Sequence, residues 1–321
     1  MRYIQLAFQG KNNFLSYVAT IALTVSTILG LGLVPYNVGL NRKGIPLDKI
    51  GSTPPAEAID LLGKNAYLTF NLFPFIIGLL ALIVSIKIVH RRPIKTLFTS
   101  REKFDWKRFF TSFIAWGTLM FIMLGISVWI FDAPVTWNFN PATFLMLLII
   151  SVFLIPLQTT LEEAFFRGYL IQGTGTVFRR GWISVLFTSI LFGLLHMGNP
   201  EVKLLGQGIL GYYIITGIFL GLITIMDDGL ELSIGFHAIN NIFGALILTN
   251  NWQVFQSDAL WMDASPPSFD WSNIASLAIC YPLLLFFFAR NYRWKTWKEK
   301  LFGKIHNPKP TGTDTDLEHE K

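Results

Sequence analysis

The sequence predicts an all-α polytopic membrane bundle of about eight transmembrane helices, and three observations predict it. Hydrophobic residues fill 52% of the 321 positions and charged residues only 14%, with a mean hydropathy of +0.48. That is too apolar for a soluble chain of this length. The apolar residues fall in runs long enough to cross a bilayer, and the basic residues crowd into particular connections between those runs.

Taken in order, the first span covers 15–35. It has the basic and apolar parts of a signal peptide, but the apolar part is too long and no small-residue cleavage site follows, so it reads as a retained anchor. Further spans are expected at 67–88, 110–131, 143–163, 182–197, 206–226, 232–249 and 272–289. A peripheral amphipathic piece is expected around Phe104–Phe109. The Asn-Pro-Lys-Pro composition from His306 onward cannot build a core, so 306–321 reads as a disordered cytoplasmic tail. The division that follows is 1–135 for peripheral helices, 136–250 for the core that holds the unusual polar residues, 251–305 for an outer loop, last helix and basic segment, and 306–321 for the tail. No internal repeat is visible.

Orientation follows from charge. Lys87, Arg91, Arg92, Lys95, Arg101, Lys103, Lys107 and Arg108 share one connection, and Arg290, Arg293, Lys295, Lys298 and Lys300 follow the last span. Phe131–Thr143 and Asn250–Ser272 hold no Lys or Arg and carry Asp132, Asp258, Asp263 and Asp270. Basic connections stay in the cytoplasm, so both termini are expected there; only Tyr36–Ala66, with Arg42, Lys43, Lys49 and Lys64, runs against the scheme. The formal net charge of +6 then serves anchoring to anionic lipid rather than nucleic-acid binding. Cys280 is the single cysteine, so no intramolecular disulfide can form.

Residues 140–250 hold the polar residues that a membrane tolerates least. Glu162 and Glu163 adjoin an apolar run, His196 closes another, and His237 opens a third; intramembrane ionisable groups default to function. Glu163 and Arg167 are four apart and share a helical face, which suits a charge-neutralising pair, a structural role ahead of a catalytic one. Glu162 projects about 100° away without that partner and so reads as the freer carboxylate, suited to a general base. Phe192 and His196, and His237 and Asn241, likewise share faces at spacing four. The first pair lets a ring brace an imidazole, and the second sets an imidazole beside an amide, suited to a developing oxyanion.

Gly173-Thr-Gly175 is expected to break the glutamate helix, with Arg179 and Arg180 fixing a turn and the chain returning from Trp182 as a hairpin. At about 1.5 Å per residue, Glu162 lies some 16 Å above Gly173, His196 some 22 Å above Gly181 and His237 roughly 12 Å above Gly229, so all three can meet in the cytoplasmic half of the membrane. Gly217 and Gly221 form a small-xxx-small packing face. Asp227, Asp228 and Glu231 read as residues that cap or flank a helix end.

The three ordered motifs Glu162-Glu163-x-x-x-Arg167, Phe192-x-x-x-His196 and His237-x-x-x-Asn241 resemble those of the CAAX protease and bacteriocin-processing (Abi) family. The resemblance implies an intramembrane glutamate endopeptidase; no cofactor or metal is expected, because no acidic second shell for both histidines is evident in the sequence. Glu162 and His196 would activate water, His237 and Asn241 would stabilise the oxyanion, and Glu163 and Arg167 would orient the first motif. The implied partners are membrane lipids and a peptide or protein substrate, with or without a lipid modification; nucleic acid is not among them. A bacterial plasma membrane is the implied location. Two alternatives stay open: a zinc-dependent protease with His196, His237 and Glu162 as ligands, and a non-proteolytic immunity or partner-binding protein. An HExxH helix is absent, as are the repeated, broken halves of a transporter.

Overall fold

The computed structural model describes residues 2–269 and 272–308. The expected tail therefore lies, from residue 309 on, outside the described residues. Eight helices order the bundle: α1 (Phe14–Arg42), α2 (Lys64–Ile88), α3 (Trp106–Ile130), α4 (Pro141–Phe178), α5 (Gly181–Gly198), α6 (Gln207–Asp227), α7 (Glu231–Ile242) and α8 (Ser272–Asn291). Their starts are chemically marked. The Asn13 side chain accepts from the Ser16 amide, Asp105 from the Lys107 and Arg108 amides, and Asn140 from the Ala142 amide just after Pro141.

Seven of the helices are long and apolar enough to cross a membrane, and the chain is an integral membrane protein. The difference from about eight lies at 232–249. There α7 has 12 residues and gives way to a π turn over Phe243–Ile247 and a short strand. Its apolarity has another cause than lipid: every residue from Glu231 to Ile239 is buried by protein. This helix is the hub. It packs chiefly on α3 and α4, and an aromatic cluster of Trp116, Phe219, Phe236 and Tyr281 joins it to α3, α6 and α8. Trp116 and Phe236 stack at 4.7 Å, and Phe219 and Tyr281 at 4.4 Å. A glycine allows the closest crossing, since a Cβ at Gly235 would lie 2.2 Å from the Phe109 carbonyl oxygen.

The glutamate helix does not break at Gly173 and Gly175. Both lie inside α4, which runs on to Phe178 and stops only at Arg179, whose φ is +55°. A break within the bilayer would strand backbone hydrogen-bonding groups, and here the missing side chains admit neighbours instead: Tyr17 against Gly173 and Ile4 against Gly175. The irregularity in α4 sits elsewhere, as a π turn over Ala164–Leu170 directly after the two glutamates. Such bulges concentrate at functional sites. Gly217 and Gly221 do pack closely on α5, against Ser189 and Val185.

The two ends of the bundle are tied differently. At the end carrying the basic connection, Arg101 pairs with Asp227 at 2.9 Å and Glu231 at 3.1 Å, Arg108 also pairs with Asp227, and Lys300 with Asp228. Asp227 and Glu231 thus flank a helix end, as expected, and also form a buried knot that fastens the chain before α3 to the α6–α7 turn. Phe104 directly precedes the Asp105 cap, so the expected peripheral piece is the opening of α3 itself.

At the opposite end a three-stranded sheet closes the loops. Strand β1 (Val135–Trp137) pairs antiparallel with β3 (Trp261–Asp263), and β2 (Leu248–Thr249) pairs parallel with β3. Beside it Lys64 and Thr143 both donate to Asp258, each at 2.7 Å. Partial burial raises the Asp258 carboxyl, but these two hydrogen bonds and the lysine charge outweigh it and leave it below the usual carboxylate range.

Candidate active site

Five helices, α2, α4, α5, α6 and α7, converge on one cavity of about 590 Å³, and Glu162, His196, His237 and Asn241 all line it. Each arrives on a different kind of support. Glu162 is the last residue but one of the regular part of α4 before the π turn, and His196 stands in the 3-10 turn that ends α5. His237 and Asn241 occupy one face of the buried helix α7.

Glu163 and Arg167 lie behind the cavity wall, both with side chains 0% exposed and paired at 3.0 Å. The arginine makes its one charged contact through Nη1; its Nε and Nη2 have no hydrogen-bond partner in the structure. Its guanidinium lies over the Phe192 ring at 4.2 Å, a cation–π contact that adds to the pair. Phe192 therefore braces two residues, since its ring also sits 4.5 Å from that of His196.

His237 lies between the two glutamates. Nδ1 hydrogen-bonds Glu163 Oε1 at 2.8 Å, and Nε2 lies 3.3 Å from Glu162 Oε2, within ion-pair range but off hydrogen-bond geometry. Glu162 stays outside the Arg167 pair and lies beside His237 instead. On the face it shares with Asn241, the His237 imidazole is held from behind by a carboxylate, the arrangement that fixes a ring's tautomer and aim.

His196 is fixed differently. Its Nδ1 meets the Phe192 carbonyl at 2.7 Å, and the ring stacks on Tyr213 at 4.1 Å. A carbonyl only accepts, so Nδ1 carries the proton and Nε2 keeps a lone pair able to receive one. Asn241 donates from Nδ2 to Gln158 Oε1 at 3.0 Å and accepts from Asn240 at 3.2 Å. One Nδ2 hydrogen remains for a substrate.

Sequence reasoning missed four contributors. Gln158 precedes Glu162 by one helical turn, so its place on the same face was readable. Asn240 fills an unassigned position inside the third motif and receives a hydrogen bond from Trp116 at 3.2 Å. Tyr213 and Glu201 carry no local signal. Glu201 is buried, accepts from Tyr213 and from Asn199 at 3.0 Å, and adds a second carboxylate to the cavity wall.

The fold and the site together define an all-helical integral membrane protein whose buried carboxylates and imidazoles face a large internal cavity. Comparison with known families narrows that class, because residues 140–243 match the family model described as type II CAAX prenyl endopeptidase Rce1-like. The match falls on the segment that carries all three motifs, and this family is one of proteases. A Bacillus subtilis (strain 168) protein described as "Uncharacterized protein YyaK" is 33% identical over 175 residues, 54% of this chain and 58% of that protein. The chain thus spans a little over half the length of this relative. No solved structure matches it.

Proposed function

We propose that the protein is an intramembrane endopeptidase that hydrolyses a peptide bond with water activated by Glu162 and His196. One observation carries this reading: the four motif residues that would do the chemistry reach the same cavity from three separate helices, while their charged support, Glu163 and Arg167, stays behind the wall. In the reaction, Glu162 and the free Nε2 of His196 orient a water and take its proton as the oxygen adds to the scissile carbonyl carbon. The oxyanion that forms receives hydrogen bonds from His237, when Nε2 carries a proton, and from Asn241 Nδ2. Collapse of the tetrahedral species breaks the C–N bond, and the captured proton passes to the departing amine.

His196, His237 and Glu162 are the residues a zinc scheme would use as ligands. Among the described residues, no three His, Cys, Asp or Glu side chains stand where they could hold a metal ion together. His237 Nδ1 is held by Glu163, a support that zinc-binding and oxyanion-binding imidazoles share.

Two expectations separate the schemes. Asn241→Ala should lower turnover about a hundredfold or more with little loss of substrate affinity, measured as kcat and KM on purified protein. Chelators should leave turnover unchanged. A tightly bound stoichiometric zinc in elemental analysis, lost in His237→Ala and kept in Asn241→Ala, would instead establish the metal scheme.

A further inference from the structure

The cavity is not placed symmetrically between the two ends of the bundle. Its exposed lining residues are Asn71, Gln253 and Ser268. Gln253 and Ser268 belong to the loops joined by the small sheet, and Asn71 lies two turns from the Lys64 start of α2, where Lys64 pairs with Asp258. The same lining includes Phe75 and Thr216 and reaches Glu162 and His237. At the other end, the knot of Arg101 and Arg108 with Asp227 and Glu231 contributes no lining residue.

The two ends differ in charge as sharply as in access. The closed end carries the two Lys/Arg-rich segments around Arg91–Arg108 and Arg290–Lys300, whereas 250–269, which supplies Gln253 and Ser268 to the mouth, has no Lys or Arg. Against this stand Arg42, Lys43, Lys49 and Lys64 at the open end, the last of them paired with Asp258. Retention of basic connections in the cytoplasm therefore puts the closed end inside and the mouth outside. The wall adds a chemical preference: Glu162 and Glu201 line the cavity and no Lys or Arg does, so the site offers no cation to the free carboxylate of a C-terminal tail.

We propose that the cavity is entered from the extracytoplasmic face, and that its substrate is an internal peptide segment presented at the outer surface of the membrane rather than a cytosolic C-terminal tail. The word substrate rests on the peptidase reading; the direction of access does not. Single cysteines at Gln253, Ser268 and Lys298 in a Cys280→Ser background test it, with a sulfonated, membrane-impermeant maleimide applied to intact bacterial cells. Gln253→Cys and Ser268→Cys should be labelled in intact cells, and Lys298→Cys only after permeabilisation. Thr216→Cys, inside the cavity, should react with a small anionic thiosulfonate applied from outside. The reversed pattern, or reaction of Thr216→Cys only in inside-out vesicles, overturns the proposal. Adding Glu162→Gln should leave every labelling result unchanged, so a failure of the peptidase reading would show in turnover alone.

Discussion

Glu162→Gln should reduce peptide-bond cleavage by about a thousandfold or more, within the range that a positioned general base supplies, while the folded protein stays at its normal level in the membrane. The amide is nearly isosteric with the carboxylate but cannot accept water's proton. Structural cost should be small, because Glu162 makes no hydrogen bond through Oε2 and its side chain retains 13% exposure to the cavity. Glu163, though adjacent, cannot substitute: its side chain is fully buried and its Oε1 already holds Arg167 and His237. The check is product formation by mass spectrometry at matched protein level. Near-normal turnover in the variant would remove Glu162 as the base.

The second large effect is on stability and belongs to the residues behind the wall. Arg167→Met leaves the Glu163 carboxylate buried with His237 as its remaining polar partner, and breaking a buried pair from one side costs about 3–5 kcal/mol. The double variant Glu163→Gln with Arg167→Met should recover more than half of that loss, because no unpaired charge then remains and the glutamine oxygen can still accept from His237. Unfolding in mixed detergent micelles reads both values. Activity should not return with stability, since a neutral amide no longer biases the imidazole as a carboxylate does. A double variant no more stable than Arg167→Met would show that the pair contributes through packing, such as the guanidinium over Phe192, rather than through charge.

How far the sequence carried depends on the kind of signal each feature leaves. Spacing of four on a helix fixes a shared face whatever the surroundings, so the pairing of Glu163 with Arg167 and the placing of Phe192 beside His196 were legible. The relation between helices was not. His237 lies 74 residues from Glu163, and no local pattern announces that its ring bridges the two glutamates. Tyr213 against His196 is invisible for the same reason.

The misreading of Gly173 and Gly175 has a specific cause. Glycine weakens helices in water, but inside a bilayer the unmet backbone groups of a broken helix cost more, and the small residue is used for close contact instead. The strands β1 to β3, of two or three residues each, are too short to show alternation. The segment 232–249 misled by composition, because a helix enclosed by protein on all sides is as apolar as one facing lipid.

The most direct test of the account is digestion of a proteome-derived peptide library by the purified protein in lipid nanodiscs, run in ¹⁸O-labelled water and read for new termini by mass spectrometry. A reproducible set of cleavages bearing ¹⁸O in the new C-terminal carboxylates, absent with Glu162→Gln and with His196→Ala, is the predicted result. Cleavages that persist undiminished in both variants, or no cleavage by a folded, lipid-embedded protein, would contradict it.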